Sequence, residues 1–78
     1  MRKKEIKTVV TFHVTADAIA FEKRCKELGI EGRLIPVPRV LSAGCGMAWA
    51  SPLSEEEKVR AAAEAGDIET EGIWQCEA

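Results

Sequence analysis

The chain has 78 residues, with 11 Lys and Arg against 13 Asp and Glu and a net charge of −2. This length supports one modest core and excludes two folded domains, so we expect residues 1–78 to form a single domain. A chain that is 46% hydrophobic with nearly balanced charge is typical of a folded protein rather than a disordered one. The lack of a basic excess argues against nucleic-acid binding. Because the sequence contains neither an apolar run of membrane-spanning length nor a signal-type stretch, we expect a cytoplasmic protein without a membrane partner.

The potential metal and disulfide ligands are few. The chain has three cysteines, Cys25, Cys45 and Cys76, and one histidine, His13. An odd cysteine count without an export signal does not suggest a disulfide framework. No Cys-x-x-Cys pair is present, and a structural zinc site normally needs four ligands at recognisable spacing. We therefore expect no metal and no cofactor.

The first predicted elements are a strand and a helix. Alternating β-branched and aromatic residues over 6–14 predict the strand. Helical spacing predicts a helix over 16–28, with Thr15 as its N-cap and Gly29 as its stop. The residues expected to face the sheet from this helix are Ala18, Phe21, Cys25 and Leu28.

Two short strands are predicted next, with a loop between them. The second strand covers 33–37, and its Pro36 and the following Pro38 cannot donate to a central ladder, which places it at a sheet edge. Residues 39–46 are predicted to be a loop. The third strand covers 47–51.

The last predicted elements are a second helix and a fourth strand. Ser54 and Glu57 match a capping box for a helix over 55–65, and Gly66 is a natural stop. Ile68 to Cys76 has the composition of a strand, with a bulge expected at Gly72.

The resulting order, β-α-β-β-α-β, predicts an α+β fold. Two strand–helix–strand halves of this length are typical of the ferredoxin-like two-layer sandwich, with a four-stranded antiparallel sheet and both helices on one face. The alternative is a βαβ-β meander with the acidic helix loosely docked. The sheet face without helices should be open, with Trp49 or Trp74 on it, and should favour a homodimer.

Gly44-Cys45-Gly46 is the tripeptide most indicative of chemistry. Flanking glycines expose the cysteine and permit turns whose N–H groups converge on an anion, which would favour a thiolate. Arg39 could add positive charge and the Ser42 hydroxyl could donate a hydrogen bond. The simpler interpretation is a tight turn in which a small residue fits.

The other two cysteines have less promising surroundings. Cys25 shares a helix face with Phe21, which predicts a buried, unreactive thiol. Cys76 lies two residues from the end and is either incidental or a resolving thiol for Cys45.

The stretch from Thr11 to Ala50 resembles a family of short bacterial proteins described as selenium/sulfur carrier-like. The resemblance is strongest at Pro36-Val37-Pro38-Arg39 and at Cys45-Gly46 six residues later, and the other matching residues are Phe12, Ala18 and Glu22. It implies that Cys45 accepts sulfur or selenium as a persulfide or perselenide and passes it on. It also implies partners: a donor such as a cysteine desulfurase or a selenocysteine lyase, and an acceptor protein.

Two other functions are compatible with the residues. One is a binding or regulatory module without covalent chemistry, in which Cys45 is a turn residue. The other is a thiol redox sensor that forms a disulfide with Cys76 or across a dimer. A conventional enzyme is the least favoured, because the chain has no Ser-His-Asp set and no phosphate-binding glycine loop.

Overall fold

A computed structural model describes residues 5–38, 40–41 and 46–77 of the chain. Within them, four strands and two helices follow the predicted order. In chain order they are β1 (Ile6–Thr11), α1 (Thr15–Leu28), β2 (Arg33–Pro36), β3 (Met47–Pro52), a single 3-10 turn (Leu53–Glu55), α2 (Glu56–Ala63) and β4 (Gly72–Glu77). The fold class is α+β, as predicted.

The four strands form one sheet in the order β2-β3-β1-β4, and every neighbouring pair is antiparallel. Strand β1 is central and its Val9 lies opposite Ala50 of β3 on one side and Trp74 of β4 on the other. Helix α1 connects β1 to β2 across β3, and α2 connects β3 to β4 across β1. Strand β2 is at an edge, as expected from Pro36, which has no N–H to donate to a second neighbouring strand.

Both helices pack against the same face of the sheet. Alternation along the strands sends Val10 and Trp49 towards the helices, where they form a core with Phe12 and Phe21. The ring centroids of Phe21 and Trp49 lie 6.2 Å apart in an edge-to-face arrangement, which aromatic pairs favour. The remaining buried members of this core are Ala18, Cys25, Ile30, Val59, Ala62 and Ile68.

The opposite side of the sheet, here called the open face, carries the other set of alternating residues. Val9, Ala48 and Ala50 are its buried centre. Trp49 is fully buried on the helix side, whereas Trp74 opposes Val9 on the open face and is 44% exposed. Trp74 is therefore the tryptophan that the open face displays.

Details of both helices differ from the sequence-based expectations. Neither Thr15 nor Ser54 makes a side-chain capping hydrogen bond: Thr15 already lies within α1, and Ser54 lies in the 3-10 turn that precedes α2. Gly29 does end α1, in the left-handed conformation with φ of 74°, and its N–H bonds back to the helix. Leu28 is 60% exposed rather than packed on the sheet, because the last turn of α1 faces a groove beside α2.

The segment before β4 was also predicted inaccurately. Helix α2 ends at Ala63, three residues before Gly66, and β4 begins at Gly72 rather than at Ile68. Gly72 opens the strand instead of interrupting it with a bulge. Ile68 is buried in the core without belonging to a strand. An apolar residue at this position therefore resembled the start of a strand in the sequence, although the strand begins later.

A buried polar chain ties β3 to the start of β2. The indole Nε1–H of Trp49 donates to the Ser51 hydroxyl at 2.7 Å, and that hydroxyl donates to the Glu31 carbonyl at 2.7 Å. Ser51 is fully buried, so its loss would leave the indole N–H without an acceptor in a place that water does not reach.

Replacing Ser51 by Ala should lower the free energy of unfolding by about 1–3 kcal/mol in the wild-type background. The same replacement in a Trp49→Phe background should cost less, by about 1 kcal/mol, because Phe has no N–H to leave unpaired. Urea denaturation of the four proteins in this double-mutant cycle measures the difference. Equal costs in both backgrounds would contradict the assigned hydrogen bond.

Candidate functional site

The predicted site lies in the connection between β2 and β3. Of its residues, Arg39, Ser42, Gly44 and Cys45 fall outside the described part of the chain, and Gly46 falls within it. The structure therefore describes the residues on either side of the predicted site, together with Gly46.

The connection is fastened at its base by the two strands. The Val37 N–H donates to the Gly46 carbonyl at 3.0 Å, which extends the ladder beyond the pair of Pro36 and Met47. A second hydrogen bond, from the Leu41 N–H to the Pro38 carbonyl at 3.0 Å, closes a turn shortly after the strand. The entry to β3, directly after Cys45, is thus held by backbone hydrogen bonding.

Gly46 has a conformational reason to be glycine. Its φ is 76°, in the left-handed region that side chains disfavour, and an added Cβ would meet no atom of the described residues within 4 Å. The backbone conformation therefore favours glycine at this position.

The described parts of the connection lie against the open face. Val37 and Leu41 pack on the cluster of Val9, Ala48 and Ala50. Strand β3 is an interior strand, paired with β2 on one side and β1 on the other, so the connection joins an edge strand to an interior one. Residues 48–51 of β3 are all buried, with Trp49 in the core beneath the helices and Ala48 and Ala50 in the open-face cluster.

Cys25 is a buried thiol, as predicted. Its side chain is fully buried in the core between α1 and the sheet. Burial disfavours the anion and raises the pKa of Cys25 to about 11, against a weak opposing effect of Arg24. At neutral pH this thiol is almost entirely protonated and inaccessible.

Cys76 lies on the open face near the end of β4 and is partly buried. Burial raises its pKa also. Neither of the two cysteines in the described residues is therefore activated as a nucleophile.

Cys76 is also remote from the β2–β3 connection. It lies opposite Lys7, which lies opposite Pro52 at the far end of β3 from Met47. The five residue steps of β3 from Met47 to Pro52 span about 17 Å. Two peptide units join Cys45 to Met47, and their greatest length, about 8 Å, is less than half of that span. A disulfide usually needs less than about 7 Å, which argues against Cys76 as a resolving thiol in the same chain.

The charged groups with shifted pKa values hold the helices in place. Glu56 of α2 accepts hydrogen bonds from Arg60, Gln75 of β4 and Thr8 of β1, and these bonds lower the pKa of its carboxyl group. The Arg24 guanidinium, hydrogen-bonded to Asp67, lowers the pKa of that carboxyl group in the same way. The bond from Arg60 is an i,i+4 contact within α2, whereas Gln75, Thr8 and the Arg24–Asp67 pair join residues distant in sequence that no local pattern indicates.

A groove of about 510 Å³ runs between the C-terminal parts of α1 and α2, and its apolar lining includes Leu28, Ile30 and Ala61. Residues 5–38, 40–41 and 46–77 contain no cluster of three or more His, Cys, Asp or Glu arranged to hold a metal ion. His13 is exposed.

Comparison with known proteins identifies the class of protein. The model of the family described as "Putative Se/S carrier protein-like" matches residues 7–75, which cover every element except the first residue of β1 and the last two of β4. The chain belongs to this family. No curated protein and no solved structure matches it. Neither helix in the described ranges has the length and apolar character needed to cross a bilayer.

The raised pKa of Cys25 predicts a loss of stability in alkali. Because the thiol ionises near 9.0 when unconstrained and near 11 when buried, its contribution is complete below pH 9 and is lost as the pH rises towards 11. The wild type should lose about 2 kcal/mol of unfolding free energy between these values relative to Cys25→Ala. Urea denaturation across this pH range measures the difference, and parallel pH profiles for the two proteins would contradict it.

Proposed function

We propose that the protein is a sulfur or selenium carrier in which Cys45 holds the cargo atom and relays it between partner proteins. The observation that supports this most directly is membership of the selenium/sulfur carrier-like family over residues 7–75, a span that includes Cys45. The surroundings of the other thiols support the same residue, because Cys25 is buried and both Cys25 and Cys76 have raised pKa values.

The proposed transfer needs no outside oxidant. The Cys45 thiolate attacks the outer sulfur of a donor persulfide, and a new sulfur–sulfur bond forms at Cys45 as the donor's own bond breaks. The donor leaves as a thiolate, and Cys45 becomes the persulfide. The outer atom keeps its oxidation state, and the acceptor removes it by the same reaction. With selenium as the outer atom the intermediate is a perselenide.

The proposed activation of Cys45 relies on its loop. Sulfur carriers whose cysteine opens a helix gain from the helix dipole, whereas here the next described element after Cys45 is β3. We assign the stabilisation of the thiolate to loop N–H groups made available by Gly44 and Gly46, to the Arg39 charge and to the Ser42 hydroxyl. The left-handed turn at Gly46 and the fastened base of the loop support this assignment.

The proposed partners are protein donors and acceptors, without a cofactor on the carrier itself. The donor would be a cysteine desulfurase or a selenocysteine lyase, which generates the persulfide or perselenide. A thiol relay needs an accessible sulfur and not a deep pocket, so a 78-residue chain is large enough for it.

We also infer that the domain is of the ferredoxin-like class. Strands β1 and β2 are joined through α1 with β3 between them, and β3 and β4 are joined through α2 with β1 between them. Two such split strand–helix–strand units with both helices on one face are the basis of this inference.

The second candidate is a binding module without covalent chemistry, favoured by the exposed Trp74 on the open face. In that case Cys45 is only a turn residue, and Cys45→Ser would keep full biological activity. The carrier function requires that this variant lose it.

Incubation with a persulfide donor should add about 32 mass units to the intact protein, or about 80 with a perselenide donor. Cys45→Ser should gain no mass, whereas Cys25→Ser and Cys76→Ser should behave as the wild type does. Intact-mass spectrometry without added reductant measures the change. A wild type whose mass never changes would sink the carrier proposal.

Replacing Arg39 by Ala should raise the pKa of Cys45 by up to about 1 unit, since each unit corresponds to about 1.4 kcal/mol of preference for the thiolate. Alkylation at neutral pH should slow by up to about 10-fold, and salt should reduce the difference between the two proteins. The matched control is Arg33→Ala, which removes the same charge from the exposed far end of β2. If both variants titrate as the wild type does, Arg39 has no part in activation.

A further inference from the structure

Trp74 is an exposed aromatic residue with a fixed position. Its side chain is 44% exposed, yet its Nε1–H donates to the Thr11 hydroxyl on the neighbouring strand at 3.0 Å. The ring also lies close over Gly72, where an added Cβ would come within 2.7 Å of it. The indole is therefore held against the sheet from two sides before any partner arrives.

The ring lies at the end of the sheet where β3 begins. Thr11, the acceptor for the indole, is opposite Gly72 on one side and opposite Ala48 on the other. Opposed residues in such a ladder have Cα atoms about 5 Å apart. Ala48 is three peptide units from Cys45, a chain length of at most about 11 Å. Trp74 is thus on the open face at the same end as the entry from Cys45 into β3.

The neighbouring open-face residues extend this apolar surface. Val37 and Leu41, from the β2–β3 connection, and Ile35 of β2 pack on the same face and are only partly buried. Val9, Ala48 and Ala50 beneath them are already buried and support the surface from below. A partner that covers Trp74 therefore meets the described flanks of the Cys45 loop on the same side of the molecule.

The size of this face suits a brief encounter better than a permanent dimer. Three strands of six residues and one of four, about 4.8 Å apart, give a face of about 19 Å by at most about 20 Å, or less than about 400 Å². Two such surfaces would bury less than about 800 Å² in total, under half of what a stable complex usually buries. Redox and other transient encounters commonly lie at this smaller size, and a relay requires its partners to leave.

We propose that Trp74 is the anchor by which a protein persulfide donor docks on the open face during transfer to Cys45. This inference rests on the carrier function proposed above. Tryptophan is the residue type most often dominant at interfaces, and a ring already held in place loses little freedom on binding. Trp74 acts in docking and takes no part in the chemical step.

The experiment compares a protein donor with a small one. Transfer to Cys45 is followed by intact mass, first from a cysteine desulfurase supplied with cysteine and then from glutathione persulfide. Trp74→Ala should lower kcat/KM for the desulfurase by about 10- to 30-fold and leave the glutathione persulfide rate within about two-fold. Gly72→Ala, which displaces the ring without removing it, should act in the same direction. Ile19→Ala is the matched control, because Ile19 is an apolar residue of α1 that is 54% exposed.

Each other outcome overturns the inference in a distinguishable way. An unchanged desulfurase rate in Trp74→Ala excludes the anchor, and an equal loss with both donors places Trp74 in the reactivity or folding of the carrier. If the wild type accepts sulfur from glutathione persulfide but not from the desulfurase, the desulfurase is excluded as the docking donor while the carrier function stands. No transfer from either donor refutes both. A wild-type dimer in sedimentation that Trp74→Ala dissociates would make a second copy the occupant of the face.

Discussion

The burial of the β1–β3 pair on both faces is the constraint on which the rest of the structure depends. Val10 and Trp49 lie beneath the helices, while Val9 and Ala50, their alternating neighbours, are buried on the open side. Fully burying such side chains contributes about 1.5–3 kcal/mol each for the larger ones, so this pair contributes a large share of the stability that a small chain can obtain. The helices pack across this pair, and β2 and β4 are the edge strands of the sheet.

This central pair also determines how the connection between β2 and β3 joins the sheet. Because β3 is interior and its ladder continues to the hydrogen bond between Val37 and Gly46, the residue that follows Cys45 leads into a strand that is paired on both sides. Val37 and Leu41, which flank the site, pack against the open face. A thiol next to such a base can be presented to a partner without a pocket, which is the arrangement that the proposed relay needs.

Sequence patterns predicted the features that depend on local spacing. The alternation around Phe12 and the helical spacing of Phe21 gave the correct elements, and Gly29 ended α1 as expected. Leu28 shares that helical spacing but lines the groove beside α2, so the spacing alone did not predict its exposure. Ser54 did not cap α2, because a 3-10 turn after Pro52 carries the chain into the helix instead.

Contacts between distant residues could not be predicted in this way. The indole of Trp74 meets Thr11 only because the register of β1 and β4 brings residues 63 apart together. Likewise, Arg24 and Asp67 are joined by the docking of separate elements. For the candidate site, the glycine pattern indicated a turn and the structure gives a left-handed Gly46, while the proposed roles of Arg39, Ser42, Gly44 and Cys45 stay predictions from sequence.

The placement of the three thiols bears on how a carrier keeps its cargo. A persulfide is lost when a second thiolate attacks its inner sulfur. The two protein sulfurs then form a disulfide, and the outer atom leaves as sulfide. Cys25 is buried with a pKa of about 11, so it provides almost no thiolate for such an attack. Cys76 lies level with Pro52, about 17 Å along the strands from Met47 at the other end of β3, and its own pKa is raised. In the proposed carrier, therefore, discharge within one chain is prevented by the fold, and the cargo leaves Cys45 only to a thiol that another molecule brings.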